Sequence, residues 1–427
     1  MIKEPRRISA ELAIVGTGIA GFAAAVFALD RGLTVAQIGN TGALAYTTGY
    51  FDLLGHLDGE LVADPWQALE RLAASEPAHP LARIGRGDIE KAVRRFAAAL
   101  GELGIGYTAP GAENLRALLP TGLAKPTCSM PRTMLAGASA LAGKTRTLIV
   151  DFAGLAGFSG REFVANLERH WPTLSTARIA FPGMEADAEL FAEVAARALE
   201  VPAHRAELAE RIKAVLGDAE CVGMPAILGI SAPDRVHAAM EELIGVPLFE
   251  IPTMPPAVPG TRLRELFEQT LPGLGVQLAA QRKVERAVLR DEGIALHFHD
   301  NFGPVVIKAE TALLATGRFL SGGLVAERSG IREPLFDLAV TQPQDRDAWY
   351  HRDYFDPRGH AINRSGLVVD DAFRPLDAAG NPVSERLFAA GTVLANQDWI
   401  RQRCGAGLAI ATARRAVDLI AERIGRG

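Results

Sequence analysis

Apolar positions along the chain fall into short unbroken runs and into periodic stretches. Residues 12–15 form an unbroken run of the kind that fills a parallel strand covered on both faces. Gly16-Thr17-Gly18-Ile19-Ala20-Gly21 follows at once, and then an alanine-rich stretch to Leu29 reads as a helix. A second strand is expected over residues 33–38. Further along, residues 262–271 have the spacing of an amphipathic helix and 275–278 that of a strand. Residues 284–289 and 294–298 alternate as a strand pair around Asp291-Glu292-Gly293. Residues 305–307 and 310–317 again read as strand, 387–392 as a buried strand ending at a glycine, and Cys404-Gly405-Ala406-Gly407 opens a helix to about Arg423.

The middle of the chain has an alternation of its own. Strands are expected over residues 147–152, 177–181, 221–224 and 248–251, with helices over 161–169, 187–200 and 204–216. Pro252-Thr253-Met254-Pro255-Pro256 is a stiff stretch that denies the chain a helix. The expected fold class is α/β: a Rossmann-like domain with a parallel sheet, made of residues 1–65, 257–335 and 365–427, and an inserted α/β cap made of 66–256 with 336–364.

The first glycine pattern carries chemistry because it sits between a strand and a helix. Gly16 permits the tight turn, Gly18 lets the main chain approach a pyrophosphate, and Gly21 lets the helix lie close to the strand. The amides of the helix start, Ile19 and Ala20 among them, then face the phosphate charge. The acid that would bind ribose hydroxyls at the end of the second strand is replaced by Gly39 and Asn40, so Asn40 and Thr41 are expected to supply neutral hydrogen bonds. Thr392 after Gly391 likewise stands where an acid would touch a ribityl chain. Gly405, Ala406 and Gly407 offer amide donors at a helix start, suited to charge on the pyrimidine edge of a reduced flavin. Thr47, Thr48 and Gly49 after the second strand, Val284, and Thr316 with Gly317 complete the expected flavin contacts. The pyrophosphate-adapted Gly18 favours FAD, with FMN as the alternative.

Composition narrows the partners. The chain has 427 residues, 48% of them apolar, enough for two or three folding units. A net charge of −5, with Lys and Arg scattered, gives no basic field for nucleic acid. Three cysteines, Cys128, Cys221 and Cys404, include no CxxC pair for zinc or an iron–sulfur cluster, so no metal site is expected. The early apolar stretch is broken by glycines, and no run approaches the roughly 20 apolar residues of a membrane span.

Three segments take the reading further: Thr47-Thr48-Gly49-Tyr50-Phe51-Asp52-Leu53-Leu54-Gly55, Pro77-Ala78-His79-Pro80, and the run from Ser321-Gly322-Gly323 through Glu327-Arg328 to Arg332-Glu333-Pro334. They resemble the B subunit of bacterial anaerobic glycerol-3-phosphate dehydrogenase. The resemblance implies oxidation of sn-glycerol 3-phosphate to dihydroxyacetone phosphate, in company with a larger flavoprotein, the A subunit. It also implies electron passage through an iron–sulfur protein, the C subunit, to quinone, with fumarate or nitrate as terminal acceptor. It further implies a cytoplasmic protein, with attachment to the cytoplasmic face of the inner membrane through a partner.

Oxidising a secondary alcohol needs a hydride acceptor, a base and cations for the phosphate. His79 and His351 are the candidate bases, with His360 behind them, and Arg332 is a further catalytic candidate. Arg328, Arg332 and Arg401 are candidates for the substrate phosphate, and a structural ion pair with Glu327 or Glu333 is the other reading of Arg328 and Arg332. Two other functions stay open: a flavin relay that never meets substrate, and a stand-alone FAD oxidoreductase on another substrate.

Overall fold

The computed structural model describes residues 4–40, 42–184, 189–356 and 358–426. Thr41 and the first two residues of the helix expected from residue 187 lie outside them. By its internal contacts the chain divides into two units, residues 1–44, 52–96 and 267–427, and residues 45–51 and 97–266.

The first unit is built on a seven-stranded sheet. In chain order its elements are β1 (Arg6–Val15), α1 (Ile19–Asp30), β2 (Val35–Gly39), β3 (Gln277–Ala280), β4 (Arg286–Arg290), β5 (Gly293–Asp300), β6 (Gly303–Leu314), β7 (Leu387–Ala389) and α2 (Gly405–Ile424). The strand order is β3-β2-β1-β6-β5-β4, with β7 also on β6. β6 is a single strand where the sequence suggested two, and its outer edge is shared. Residues Gly303 to Ala309 pair antiparallel with β5, and Ala312 to Leu314 pair parallel with β7. β3, β2, β1, β6 and β7 all run parallel, so their carboxyl ends emerge along one edge. Ligands of open α/β sheets bind at that edge.

Alanine makes α1 a helix that is buried nearly all round, from Ala20 to Ala28, and lets it pack on α2. Phe22 stacks on Phe267 with ring centroids 4.5 Å apart, and Phe96 lies against Phe27 and Phe267 at 6.3 and 6.0 Å. Arg95 holds Asp30 with two bonds of 2.9 and 2.7 Å. These contacts explain why residues 66–96, expected in the cap, belong to this unit. Residues 336–364 belong to it as well, because Arg318 holds the Ile362 and Asn363 carbonyls and Thr341 bridges to Gly366.

The second unit carries a four-stranded parallel sheet in the order Leu248–Ile251, Cys221–Pro225, Thr147–Phe152, Leu174–Ile179. All residues of the first three strands are buried. Inside this apolar unit sits one ion pair: Arg262 grips Glu250 at 2.6 and 2.8 Å. Thr133 and the Leu228 amide, each at 2.7 Å, add donors to the same carboxylate, and Arg262 Nε–H donates to the Gly229 carbonyl. Burial alone would raise the Glu250 carboxyl, but the Arg262 charge and these donors hold it below its usual range. No helix among the described residues is long and apolar enough to cross a membrane.

Arg262→Met is expected to lower the unfolding free energy by about 3–5 kcal/mol in urea titration, because it strands a buried carboxylate. Adding Glu250→Gln to that variant is expected to recover part of the loss.

Candidate functional site

The glycines after β1 are set by main-chain crossings. Gly16 has φ +130°, and a Cβ there would lie 2.2 Å from the Ala315 carbonyl oxygen at the end of β6. A Cβ on Gly21 would lie 2.0 Å from the Gly16 oxygen, and one on Gly39 would lie 2.7 Å from the Thr17 amide nitrogen. Each position therefore excludes any side chain. Gly18 differs: its φ of −91° and ψ of −172° suit any residue, and a Cβ there would meet nothing within 4 Å. The open space over Gly18 is where a ligand fits the loop.

The electrostatics agree. No side chain caps α1, and no acid lies in its first turn around Ile19 and Ala20. Nothing from the protein side chains competes with an anion for those amides. Thr17 Oγ1, Gln37 Oε1 and Thr316 Oγ1 are buried without a hydrogen-bond partner. Such orphans are rare in a finished fold, and a loop edged with them fits a polar group such as a dinucleotide's pyrophosphate.

Neighbouring strand ends close on the same edge. Gly391, at φ +80°, would place a Cβ 2.8 Å from Ala20 Cβ, and its amide donates to Thr412 of α2 at 2.8 Å. Gly317 has φ +66°, and the chain folds back so that a Cβ on Gly323 would lie 2.6 Å from Thr316 Oγ1. A Cβ on Gly317 would be 3.9 Å from Thr392 Oγ1. Asn40 is exposed at the end of β2, while Val284, just ahead of β4, is buried. At the start of α2, Gly405 and Ala406 are partly exposed. Gly407 instead gives its amide to the Asp52 carbonyl at 2.8 Å, and a Cβ there would lie 2.6 Å from Leu53 Cα. It is a packing glycine. Thr47, Thr48 and Gly49 fall in the second unit, where the Gly49 carbonyl accepts from Tyr107 at 2.9 Å and Thr47 Oγ1 accepts the Gly49 amide at 3.2 Å.

The candidate catalytic side chains are less available than the sequence suggests. His79 is fully buried. Its Nδ1 accepts the Leu81 amide at 3.1 Å, capping the turn Pro80–Arg83, so Nε2 carries the proton and donates to Gln402 Oε1 at 3.1 Å. Burial pushes its pKa down to about 4, against the pull of the Glu76 charge and the Gln402 bond. The expected base is thus a capping residue with no free nitrogen. Arg332 is bound to Glu327 at 2.6 Å across a short hairpin, the ion-pair reading of this side chain. Glu333 is buried and accepts the amides of Leu335 and Phe336. Arg401 donates to the Tyr354 carbonyl at 2.8 Å, and Arg328 is exposed. His351 keeps 38% of its side chain exposed, with Nδ1 4.0 Å from Asp356. His360 is buried, accepts the His351 amide and reaches the Tyr354 carbonyl.

Arg318 was not singled out from the sequence. It follows Thr316-Gly317, burial pushes its pKa down to about 10, and it ties the strand end to two main-chain carbonyls. An arginine directly after an apolar strand was the available signal.

The FAD binding domain family matches residues 11–408. The B subunit of anaerobic glycerol-3-phosphate dehydrogenase from Pectobacterium atrosepticum is 29% identical, over 96% of this chain and 98% of that one. The probable B subunit of Halobacterium salinarum is 31% identical over 98% and 99%, and that of Vibrio cholerae is 31% identical over 96% of each. With a family match over almost the whole chain and full-length relatives above 30% identity, the chain belongs to the FAD binding domain family and, within it, to the B-subunit family of anaerobic glycerol-3-phosphate dehydrogenases.

Proposed function

We propose that this chain is a flavin-dependent subunit that oxidises sn-glycerol 3-phosphate to dihydroxyacetone phosphate and passes the electrons through an iron–sulfur protein to quinone. The cofactor is FAD, in line with the family and with a loop whose one open glycine admits a pyrophosphate. The single observation that carries the functional reading is the full-length match to B-subunit relatives. Those names also support a complex with a flavoprotein A subunit, with an iron–sulfur C subunit, and a peripheral position at the cytoplasmic face of the inner membrane through a partner.

FAD supplies the acceptor for the electron pair. The chain supplies the rest. Gly16 to Gly21 hold the phosphates, with Thr316, Gly317, Gly391 and Thr392 at the adjoining strand ends. Among the candidate bases His351 is the one with a ring open to solvent, and Asp356 stands behind its Nδ1. Arg328 is the candidate cation for a substrate phosphate whose side chain is exposed and has no ion pair among the described residues. A second reading, a flavin relay that meets no substrate, is favoured by the occupied nitrogens of His79 and the Glu327-bound Arg332.

Anaerobic mixing of the FAD-loaded chain with glycerol 3-phosphate separates the two. Bleaching of the flavin band at about 450 nm supports catalysis, and no bleaching until a partner protein is added supports the relay. Gly18→Val is expected to fold as the wild type does and to bind FAD at least about 100-fold more weakly, since its side chain fills only ligand space; Gly21→Val is expected to fail at folding. Measured together, apoprotein melting and FAD titration distinguish these outcomes. For His79, the depressed pKa means that below pH 6.5 the unfolded chain takes up a proton that the folded chain refuses. Stability is therefore expected to fall between pH 6.5 and about 4, by at most roughly 3 kcal/mol from this residue. His79→Gln, which does not titrate, is expected to flatten that part of the pH profile in denaturant unfolding.

A further inference from the structure

Gln37 is the polar residue of an otherwise apolar strand, Val35–Gly39, and its side chain is fully buried. A carboxamide at the centre of a sheet needs a reason, because burial without complete hydrogen bonding costs stability. Its Nε2 donates to the Gly16 carbonyl at 2.8 Å, while its own Oε1 has no partner. The same Gly16 oxygen lies 2.0 Å from where a Cβ on Gly21 would stand, and that Cβ would also come within 3.0 Å of Gln37 Nε2. The Gly16 carbonyl is therefore wedged beneath the helix start, between Gly21 and Gln37.

The direction of that carbonyl matters to the site above it. In a loop that presents amides to an anion, a carbonyl turned the other way would set a negative dipole against the phosphates and rotate an adjoining N–H out of place. Gly16, at φ +130°, has the backbone freedom to turn. Its amide is fixed by the Ile38 carbonyl at 2.7 Å, so the peptide plane that follows is the one left to be held. Gln37 donates to that plane from below.

We propose that Gln37 is a positioning residue of the FAD site: by holding the Gly16 carbonyl inward it keeps the loop amides aimed at the cofactor's phosphates. The inference rests on the FAD reading of the loop. It accounts for a buried carboxamide with an orphaned oxygen, kept where an apolar side chain would pack without that cost.

The test uses the full chain stripped of flavin and titrated with FAD. Gln37→Met has similar bulk and no donor; it is expected to weaken FAD binding tenfold or more, with faster FAD release, while apoprotein melting changes little. Gln37→Glu can make the bond only as the neutral acid, so its FAD affinity is expected to fall with rising pH where that of the wild type stays flat. This pH profile decides the matter even if the methionine variant does not fold. FAD affinity within threefold of wild type for the folded variants, with no added pH dependence, overturns the proposal. Failure of the wild-type apoprotein to bind FAD would instead overturn the reading of the loop itself.

Discussion

The cofactor side of this protein depends on main chains crossing where no side chain fits. The Gly16 carbonyl passes under Gly21, the loop runs over the end of β6 at Ala315, and Gly39 leaves room for the Thr17 amide. These approaches place a helix start directly over the ends of parallel strands, so that the partial positive charge of α1 and its uncapped amides converge on one spot. The rest of the first unit serves this arrangement. The alanines of α1 allow α2 to lie close, and Gly391 lets the end of β7 meet Ala20.

The two units handle buried polarity in opposite ways. In the second, Glu250 is enclosed by Arg262, Thr133 and a main-chain amide, so its charge is balanced inside the fold. In the first, Thr17, Gln37 and Thr316 each leave an oxygen without a partner near the glycine loop. A closed network stabilises one packing, whereas an open one is completed by what binds.

Much of this was legible in the sequence, for identifiable reasons. Steric needs that only glycine meets leave a mark, so Gly16, Gly18, Gly21 and Gly391 could be read along with the strands that precede them. Unbroken apolar runs gave all four strands of the second unit, whose observed bounds shift by a residue or more and whose Leu174–Ile179 begins ahead of its expected place. The helices Pro65–Ser75 and Arg86–Leu103 went unrecognised, and with them the boundary of the first unit, which is set by tertiary contacts such as Phe96 on Phe267. Side-chain roles were the least legible. Whether a histidine is a base or a cap depends on what meets each ring nitrogen, and His79 meets Leu81 and the distant Gln402. Gly407 looked like an amide donor because its neighbours do, yet Asp52 takes its N–H.

The divided edge of β6 has an evolutionary corollary. Because one strand hands its outer edge from β5 to β7, the polypeptide leaves the sheet after Leu314 and re-enters beside the same strand at Leu387. A departure and a return on adjacent rails form a closed detour, one that lineages can lengthen, trim or exchange without disturbing the rails. The hairpin with Arg332, the exposed Tyr354 and Phe355, and His351 all ride on that detour. New specificities can thus be tried there while the nucleotide-holding edge stays as it is.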